Sequence, residues 1–322
     1  LKGGVREILA TEMLEALGVY TSKSFSLIET GERLTRSDEP SPTRSAVLVR
    51  LSHSHVRFGT FQKLALFKER TKIESLVEWC VRHHHPDLAS ATDLPRAFYE
   101  RVVDRSATLV ATWMAAGFVH GVLNTDNLDI TGESFDYGPW RFLPHYDPAF
   151  TAAYFDESGL YAFGRQAEAV RWALGRLGEA LVVAYPSLAH GEVHATFDAR
   201  YERALGKAML ARLAVASRGQ DDDARLVALV FAFLDERRAP YAPFFHDFAC
   251  GIASEARAAK SPFASKYSGA RFEALREALY AHEPIAPERL DLPYFARARP
   301  CDMTIGEVEA IFAPVSYTHL TL

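Results

Sequence analysis

The chain has 322 residues, of which 48% are hydrophobic and 24% charged, an ordinary composition for a soluble globular protein. A formal net charge of −5 gives no support for nucleic acid or an anionic membrane as a partner. No apolar run approaches the roughly 20 residues that span a bilayer. Three widely spaced cysteines predict neither a disulfide framework nor a zinc site. We therefore expect a cytoplasmic protein without nucleic-acid or membrane partners.

Hydrophobic periodicity divides the first part of the chain into helices and strands. Apolar residues at helical spacing predict a first helix from Val5 to Leu17, and Gly18 is suited to end it. Two predicted strands follow, joined by a polar loop from Gly31 to about Ser45. The elements predicted after the first helix are a strand over 22–30, a strand over 46–51, a helix over 75–81 and a long helix over 95–118.

The second part of the chain is predicted to be mostly helical. Residues 128–130 and 134–136 flank a Thr-Gly-Glu turn and predict a short hairpin. From about Tyr161 to Phe312 the apolar pattern is helical, with breaks at proline and glycine. Residues 315–322 lack this periodicity, and we interpret them as a non-native tail.

The most informative motif is His120-Gly-Val-Leu-Asn-Thr-Asp-Asn127, followed by Phe135-Asp-Tyr-Gly138. It has the spacing of a kinase catalytic loop, His-x-Asp-x-x-x-x-Asn, with a DFG-like metal site after it. Val122 stands where a phosphotransferase keeps its catalytic aspartate, and a carboxylate reappears at Asp126. The motif therefore predicts nucleotide chemistry other than ordinary transfer of the γ-phosphate.

Side chains in this motif are candidates for metal binding and proton transfer. Asn127 and Asp136 offer the hard oxygen ligands that Mg²⁺ prefers. Asp126 is the candidate general base, because a hydroxyl acceptor needs a nearby proton acceptor. The alternatives are an Asx turn at Asn127, a strand-end carboxylate at Asp136 and a capping or electrostatic role for Asp126. His120 is expected to brace the loop by a hydrogen bond.

Three charged residues earlier in the chain are candidates for nucleotide binding. The forked guanidinium groups of Arg50 and Arg57 suit phosphate oxygens, and an unpaired charge at Arg50 would be costly inside its apolar strand. The alternatives are a surface charge at Arg57 and an ion pair of Arg50 with Glu7. Taken alone, Glu7 is a solvated helix charge. In a kinase-like fold a helical glutamate pairs with a phosphate-binding lysine.

Element order and motif together predict an α+β chain with a protein kinase-like (pseudokinase) fold. We assign residues 1–65 to a partial N-lobe containing the αC helix and the following strands. Residues 66–314 form a mainly helical C-lobe with the catalytic loop and a helical C-terminal extension. In this interpretation the N-lobe is truncated, since its first strands are missing.

The motifs resemble the signature of the selenoprotein O (SelO/YdiU) family, which consists of kinase-fold proteins that transfer AMP to protein hydroxyls. The resemblance is specific at His120–Asn127 and Asp136-Tyr-Gly-Pro139, and it extends from residue 1 to about 312. Further similar segments are Val5-Arg-Glu-Ile-Leu-Ala10, Arg50 through Arg57-Phe-Gly-Thr-Phe61, Gly159-Leu-Tyr-Ala-Phe163 and Ala239-Pro-Tyr-Ala-Pro-Phe244.

The resemblance implies a protein adenylyltransferase that uses ATP and Mg²⁺, with Mn²⁺ as a possible substitute. ATP would lie inverted relative to ordinary kinases and present its α-phosphorus to a Ser, Thr or Tyr hydroxyl of a protein substrate, with pyrophosphate leaving. The implied roles are Asp126 as proton acceptor, Asn127 and Asp136 as metal ligands, Arg50 and Arg57 on the phosphates, and Glu7 as the αC glutamate that pairs with the nucleotide-binding lysine.

The sequence also departs from the family pattern. A glycine-rich segment, the lysine and an Asp-Gly-Arg motif are expected before Leu1, and a region ending near a cysteine or selenocysteine is expected at the C-terminus. Whether the fragment is active without them stays open. Two alternatives remain: a kinase-like phosphotransferase, which Val122 disfavours, and a nucleotide-binding pseudokinase scaffold, which the retained Asp126, Asn127 and Asp136 disfavour.

Overall fold

The computed structural model describes residues 1–35 and 41–317, which form a mixed α/β structure dominated by helices. Its strands make two antiparallel pairs, β1 (Lys23–Leu34) with β2 (Thr43–Leu51) and β3 (Phe118–Val119) with β4 (Arg141–Phe142). The α-helices are α1 (Lys2–Ala16), α2 (Phe58–Leu66), α3 (Arg70–His84), α4 (Leu94–Ala116), α5 (Gln166–Val182), α6 (His190–His194), α7 (Phe197–Leu213), α8 (Gln220–Arg237), α9 (Tyr241–Asp247), α10 (Glu255–Ala258), α11 (Ala270–Tyr280) and α12 (Ile305–Tyr317).

The first helix ends as its sequence predicts. Gly18 has φ +78°, a left-handed conformation that costs glycine little, and its N–H donates to the Glu15 carbonyl at 2.9 Å. The Val19 N–H donates to the Leu14 carbonyl at 2.9 Å and completes the cap. α1 is therefore a defined element with a fixed exit, and it holds Glu7 in its second turn.

The strand pair β1–β2 is longer than predicted. The prediction of a polar loop from Gly31 to Ser45 is wrong at both ends, because β1 continues to Leu34 and β2 begins at Thr43. Gly31 adopts φ +77° within a register irregularity between Glu29 and Arg33, so β1 continues past the glycine. The middle of the predicted loop, 36–40, lies outside the described residues. Apolar side chains exposed on this ribbon include Phe25, Ile28, Val47 and Leu51.

The hairpin predicted over 128–136 is wrong, because its two arms pair with other parts of the chain. Asp129 forms an antiparallel bridge with Arg57, and the Phe58 N–H donates to the Leu128 carbonyl at 3.0 Å. Ser134 forms a parallel bridge with Thr21. Each arm satisfies its backbone groups on a different neighbour, so the motif segment is held between the N-terminal region and α2.

Two hydrophobic cores lie on either side of the long helix α4. One joins α4 to α1, α3 and α5 and contains the buried Trp113, whose Nε1–H donates to Ser134 Oγ at 2.9 Å. The other joins α7, α8, α9 and α11, and its Tyr241 hydroxyl donates to the Met114 carbonyl at 2.6 Å. The predicted helical block after Tyr161 is confirmed. α4 therefore links the motif region to the helical block.

The division into residues 1–65, 66–314 and 315–322 stays a prediction. α12 continues to Tyr317, and 318–322 lie outside the described residues. Among the helices that the structure describes, none has the length and apolar character needed to cross a bilayer.

Candidate functional site

Three charged residues that are far apart in sequence meet beside the motif. β2 carries Arg50, and its Nη1 lies 3.6 Å from Glu7 Oε2 on α1 and 4.0 Å from Asp136 Oδ1. The Arg50 and Glu7 side chains are 19% and 15% exposed, whereas that of Asp136 is 47% exposed. The ion pair of Arg50 with Glu7, one of the alternatives drawn from the sequence, is present. The guanidinium lies between an inner and an outer carboxylate.

A buried phenylalanine supports both candidate phosphate-binding arginines. Phe135 is 2% exposed, and the guanidinium carbons of Arg50 and Arg57 lie 5.4 Å and 5.1 Å from its ring centroid. Guanidinium groups are attracted to an aromatic face at such distances. The sequence prediction placed Phe135 in the DFG-like motif and in a hairpin strand but gave its side chain no role. Its position directly before Asp136 was the signal that could have identified it.

Glu7 is a buried carboxylate whose charge is only partly compensated. Burial raises the pKa of Glu7 to about 7, Arg50 opposes this rise, and the nearby charge of Asp136 adds to it. Its Oε2 is buried and accepts no hydrogen bond from the described residues. The site therefore carries an acceptor that a further cation would satisfy.

The backbone at Asp136 turns sharply and sets the direction of the chain. Asp136 has φ +63°, in the left-handed region that aspartate enters more readily than most residues, and its carbonyl accepts the Gly138 N–H at 3.1 Å. The next residue, Tyr137, is buried and its hydroxyl hydrogen-bonds Thr21 Oγ1. Asp136 is thus a partly exposed carboxylate on a tightly anchored turn.

The loop from His120 to Asn127 is braced internally. The Asn127 side-chain amide donates to the Val122 carbonyl at 3.0 Å, which leaves its carbonyl oxygen available as a ligand. His120 is fully buried, and its Nε2–H donates to the Phe135 carbonyl at 3.0 Å. Burial lowers the pKa of the His120 imidazole, so the ring is neutral at pH 7. This is the hydrogen bond that a bracing role requires.

Asp126 is exposed at the surface of the loop beside the start of α2. A Cβ added at Gly59 would lie 2.0 Å from Asp126 Oδ1, so only glycine allows this approach. The Asp126 N–H is capped by Asn124 Oδ1 at 3.0 Å. Among the described residues, no hydrogen bond or ion pair occupies the Asp126 carboxylate. The cap of this turn belongs to Asn124, and the Asp126 carboxylate is open to a ligand.

Comparison with known proteins decides the family. The family model for "Protein adenylyltransferase SelO" matches residues 1–282. The chain belongs to the SelO family. The resemblance drawn from its motifs is confirmed.

Named relatives of this SelO-family chain are bacterial proteins called "Protein nucleotidyltransferase YdiU". The one from Gloeobacter violaceus is 47% identical over 252 residues, which cover 78% of the chain and 52% of the relative. The one from Synechocystis sp. is 50% identical over 204 residues, which cover 62% of the chain and 43% of the relative. The one from Cereibacter sphaeroides (strain KD131) is 37% identical over 257 residues, which cover 78% of the chain and 53% of the relative. The chain spans about half the length of these curated relatives.

The predicted metal ligands of this SelO-family chain fit Mg²⁺ by chemistry. The Asn127 amide oxygen and the Asp136 carboxylate are hard donors, and Mg²⁺ usually takes few ligands from protein and the rest from phosphates and water. Within the described residues, no group of three or more His, Cys, Asp or Glu side chains could hold an ion. A metal held by these residues would complete its coordination with phosphate oxygens and water.

Proposed function

We propose that the gene product is a protein adenylyltransferase with a protein kinase-like fold, which transfers AMP from ATP to Ser, Thr or Tyr hydroxyls of proteins. The observation that carries the proposal is the meeting of Arg50 with Glu7 and Asp136, with Arg57 sharing the Phe135 ring. Two guanidinium groups on one rigid aromatic support can bind several phosphate oxygens without losing much side-chain entropy. The family model and the names of the relatives agree with this activity.

The reaction needs a phosphate clamp, a charge-neutralising ion and a proton acceptor. Arg50 and Arg57 would hold the phosphates, while Asn127 and Asp136 would hold Mg²⁺ or Mn²⁺. A bound divalent ion neutralises charge on the phosphates and on the leaving pyrophosphate. The substrate hydroxyl oxygen bonds to the α-phosphorus, the bond between that phosphorus and the bridging oxygen to the β-phosphate breaks, and the hydroxyl proton passes to Asp126.

Two features of the site support AMP transfer over phosphate transfer. Val122, at the usual base position of a phosphotransferase, contributes only a backbone carbonyl, which accepts the Asn127 amide. The open carboxylate is Asp126, beside Gly59 in the first turn of α2. A base at Asp126 instead of position 122 would accept the proton of a hydroxyl that attacks a different phosphorus atom of ATP. Burial raises the pKa of the Glu7 carboxylate, and a nucleotide-binding lysine would pair with it.

The compartment that we propose is the cytoplasm. Cys80, Cys250 and Cys301 are free thiols, as is usual in a reducing compartment. The substrates that follow are ATP and proteins with an accessible hydroxyl side chain.

Isotope position tests the proposal. The full-length gene product and candidate protein substrates are incubated with Mg²⁺ and ATP labelled at the α- or γ-phosphate. We expect label on protein from the α position and none from the γ position. Transfer from γ alone would show a phosphotransferase, and nucleotide binding without any transfer would show a scaffold.

Matched variants test the roles of individual residues in the same assay. Asp126→Ala should lower α-label transfer at least about 100-fold while ATP binding is largely kept, because general-base catalysis contributes typically 10²–10⁴-fold. Asp221→Ala, an exposed aspartate at the start of α8, is the control. A parallel loss of ATP binding in Asp126→Ala would show a structural role.

A further inference from the structure

A cavity lies between the end of α1 and the helical block, and none of its lining residues belongs to the motif. It has a volume of about 640 Å³ and is lined by residues from α1, α4, α7, α9 and the segment around residues 289–301. Pockets for small organic ligands usually measure about 300–1,000 Å³. Many of its wall residues are alanines, whose small side chains leave the space open. The size suits a small organic molecule.

One charged side chain in this cavity has no hydrogen-bond or ion-pair partner among the described residues. Arg212 on α7 lines the cavity, and its Nε is buried without a hydrogen bond. No hydrogen bond or ion pair of its guanidinium occurs among the described residues. Among the described residues its guanidinium lies over the Phe245 ring, whose centroid is 5.3 Å from the guanidinium carbon. Arg212 as a residue is partly exposed, so its Nε, rather than the whole guanidinium, is shielded from solvent without an acceptor. A buried donor left without an acceptor is costly, and a ring face offsets only part of that cost.

The charge of the lining is entirely positive or neutral. Arg289 also lines the cavity and is exposed, and His246 lies in the same wall. The His246 ring stacks on Phe295 in the same wall, with ring centroids 5.5 Å apart, and its Nδ1 lies 3.4 Å from Asp247 Oδ1. No aspartate or glutamate is among the described residues that line the cavity. An unpaired arginine inside and a second arginine at the exposed side favour an anion.

We propose that this cavity binds a small organic anion. Its carboxylate or phosphate group pairs with the Arg212 guanidinium, and its apolar body packs against Phe245 and the alanine-rich wall. Arginine is the side chain best suited to bind such groups through two parallel hydrogen bonds. The cavity includes Met13, Leu17 and Gly18 at the end of α1, so its occupant contacts the helix that carries Glu7.

Three probes with the same apolar body test the proposal by calorimetric titration of the chain. They are 2-naphthoate, 2-naphthyl phosphate and the neutral 2-naphthalenemethanol. We expect at least one anion to bind about tenfold or more tightly than the alcohol, and the better anion shows which head group the cavity prefers. Arg212→Gln should abolish this preference and leave the weak binding of the alcohol unchanged.

Controls separate this cavity from the nucleotide site and from nonspecific charge. Arg225→Gln, an exposed arginine on α8, and Arg50→Gln should both keep the anion preference. Arg289→Gln at the exposed side should weaken anion binding a few-fold, and it provides the test if Arg212→Gln does not fold. Equal affinity of the anions and the alcohol would overturn the proposal. An unchanged preference for the anion in folded Arg212→Gln and Arg289→Gln variants would overturn it as well.

Discussion

Replacing Glu7 with glutamine should change how stability depends on pH. Glutamine keeps the shape of the protonated side chain and removes its titration. The pKa of Glu7 is about 7 in the folded chain against 4.5 for an exposed glutamate, because burial disfavours the charged form. The folded state therefore binds more protons than the unfolded state between these values. The contribution of Glu7 to stability is fully present below pH 4.5 and is lost as the pH rises through 7.

The size of this effect follows from the two pKa values. One pKa unit corresponds to about 1.36 kcal/mol, so the whole difference is about 3.4 kcal/mol. About 2.5 kcal/mol of this contribution to the free energy of unfolding is lost between pH 5 and pH 8, as the linkage relation gives. Relative to the wild-type chain, Glu7→Gln should gain about 2.5 kcal/mol of unfolding free energy over this interval. Titrations of groups that do not interact with Glu7 cancel in the comparison.

Urea unfolding of both chains at pH 5 and pH 8 measures the difference. Glu12→Gln, an exposed glutamate on the same helix, is the matched control and should show no such change. Parallel pH profiles of the wild-type chain and Glu7→Gln would refute the burial that we assign to this carboxylate. A profile of opposite sign would show that the ion pair with Arg50 outweighs the cost of burial.

Three further variants test the site. Phe135→Leu should weaken ATP binding about tenfold, because two cation–π contacts of roughly 0.5–1 kcal/mol each are lost. Unchanged ATP affinity in a binding titration would show that the ring does not support the phosphate-binding arginines. Gly59→Ala should reduce α-label transfer roughly 10- to 100-fold by displacing the Asp126 carboxylate. The control Gly206→Ala should keep full transfer, because its new Cβ lies 4.0 Å from its nearest neighbour. Asp136→Asn should abolish metal-dependent transfer while the thermal midpoint is retained, since asparagine also accepts a left-handed backbone; full transfer by the asparagine variant would exclude Asp136 as the essential metal ligand.

Local patterns predicted the helices of this chain well. The first helix and its glycine cap follow from apolar spacing and from the conformational freedom of Gly18, and both are local properties. The long helix α4 and the helical block follow from the same periodicity. The catalytic-loop motif was recognisable because its residues are close together in sequence.

Tertiary contacts decided what the sequence could not. The arms of the expected hairpin pair with Thr21 and Arg57, and nothing within residues 128–136 signals those partners. Gly31 resembles a loop residue, yet a register irregularity keeps it within β1. The role of Phe135 depends on two arginines that approach it from β2 and from the start of α2.

The ribbon β1–β2 has a consequence for nucleotide affinity. A two-stranded ribbon is only marginally stable by itself, and several of its apolar side chains face solvent. Its helical support comes mainly from α1. Amides in such a segment exchange with solvent through local opening long before the whole chain unfolds. In the proposed function Arg50, which lies on this ribbon, holds ATP, so the apparent affinity for ATP would scale with the fraction of chains in which the ribbon is closed, and bound ATP would in turn slow exchange along both strands.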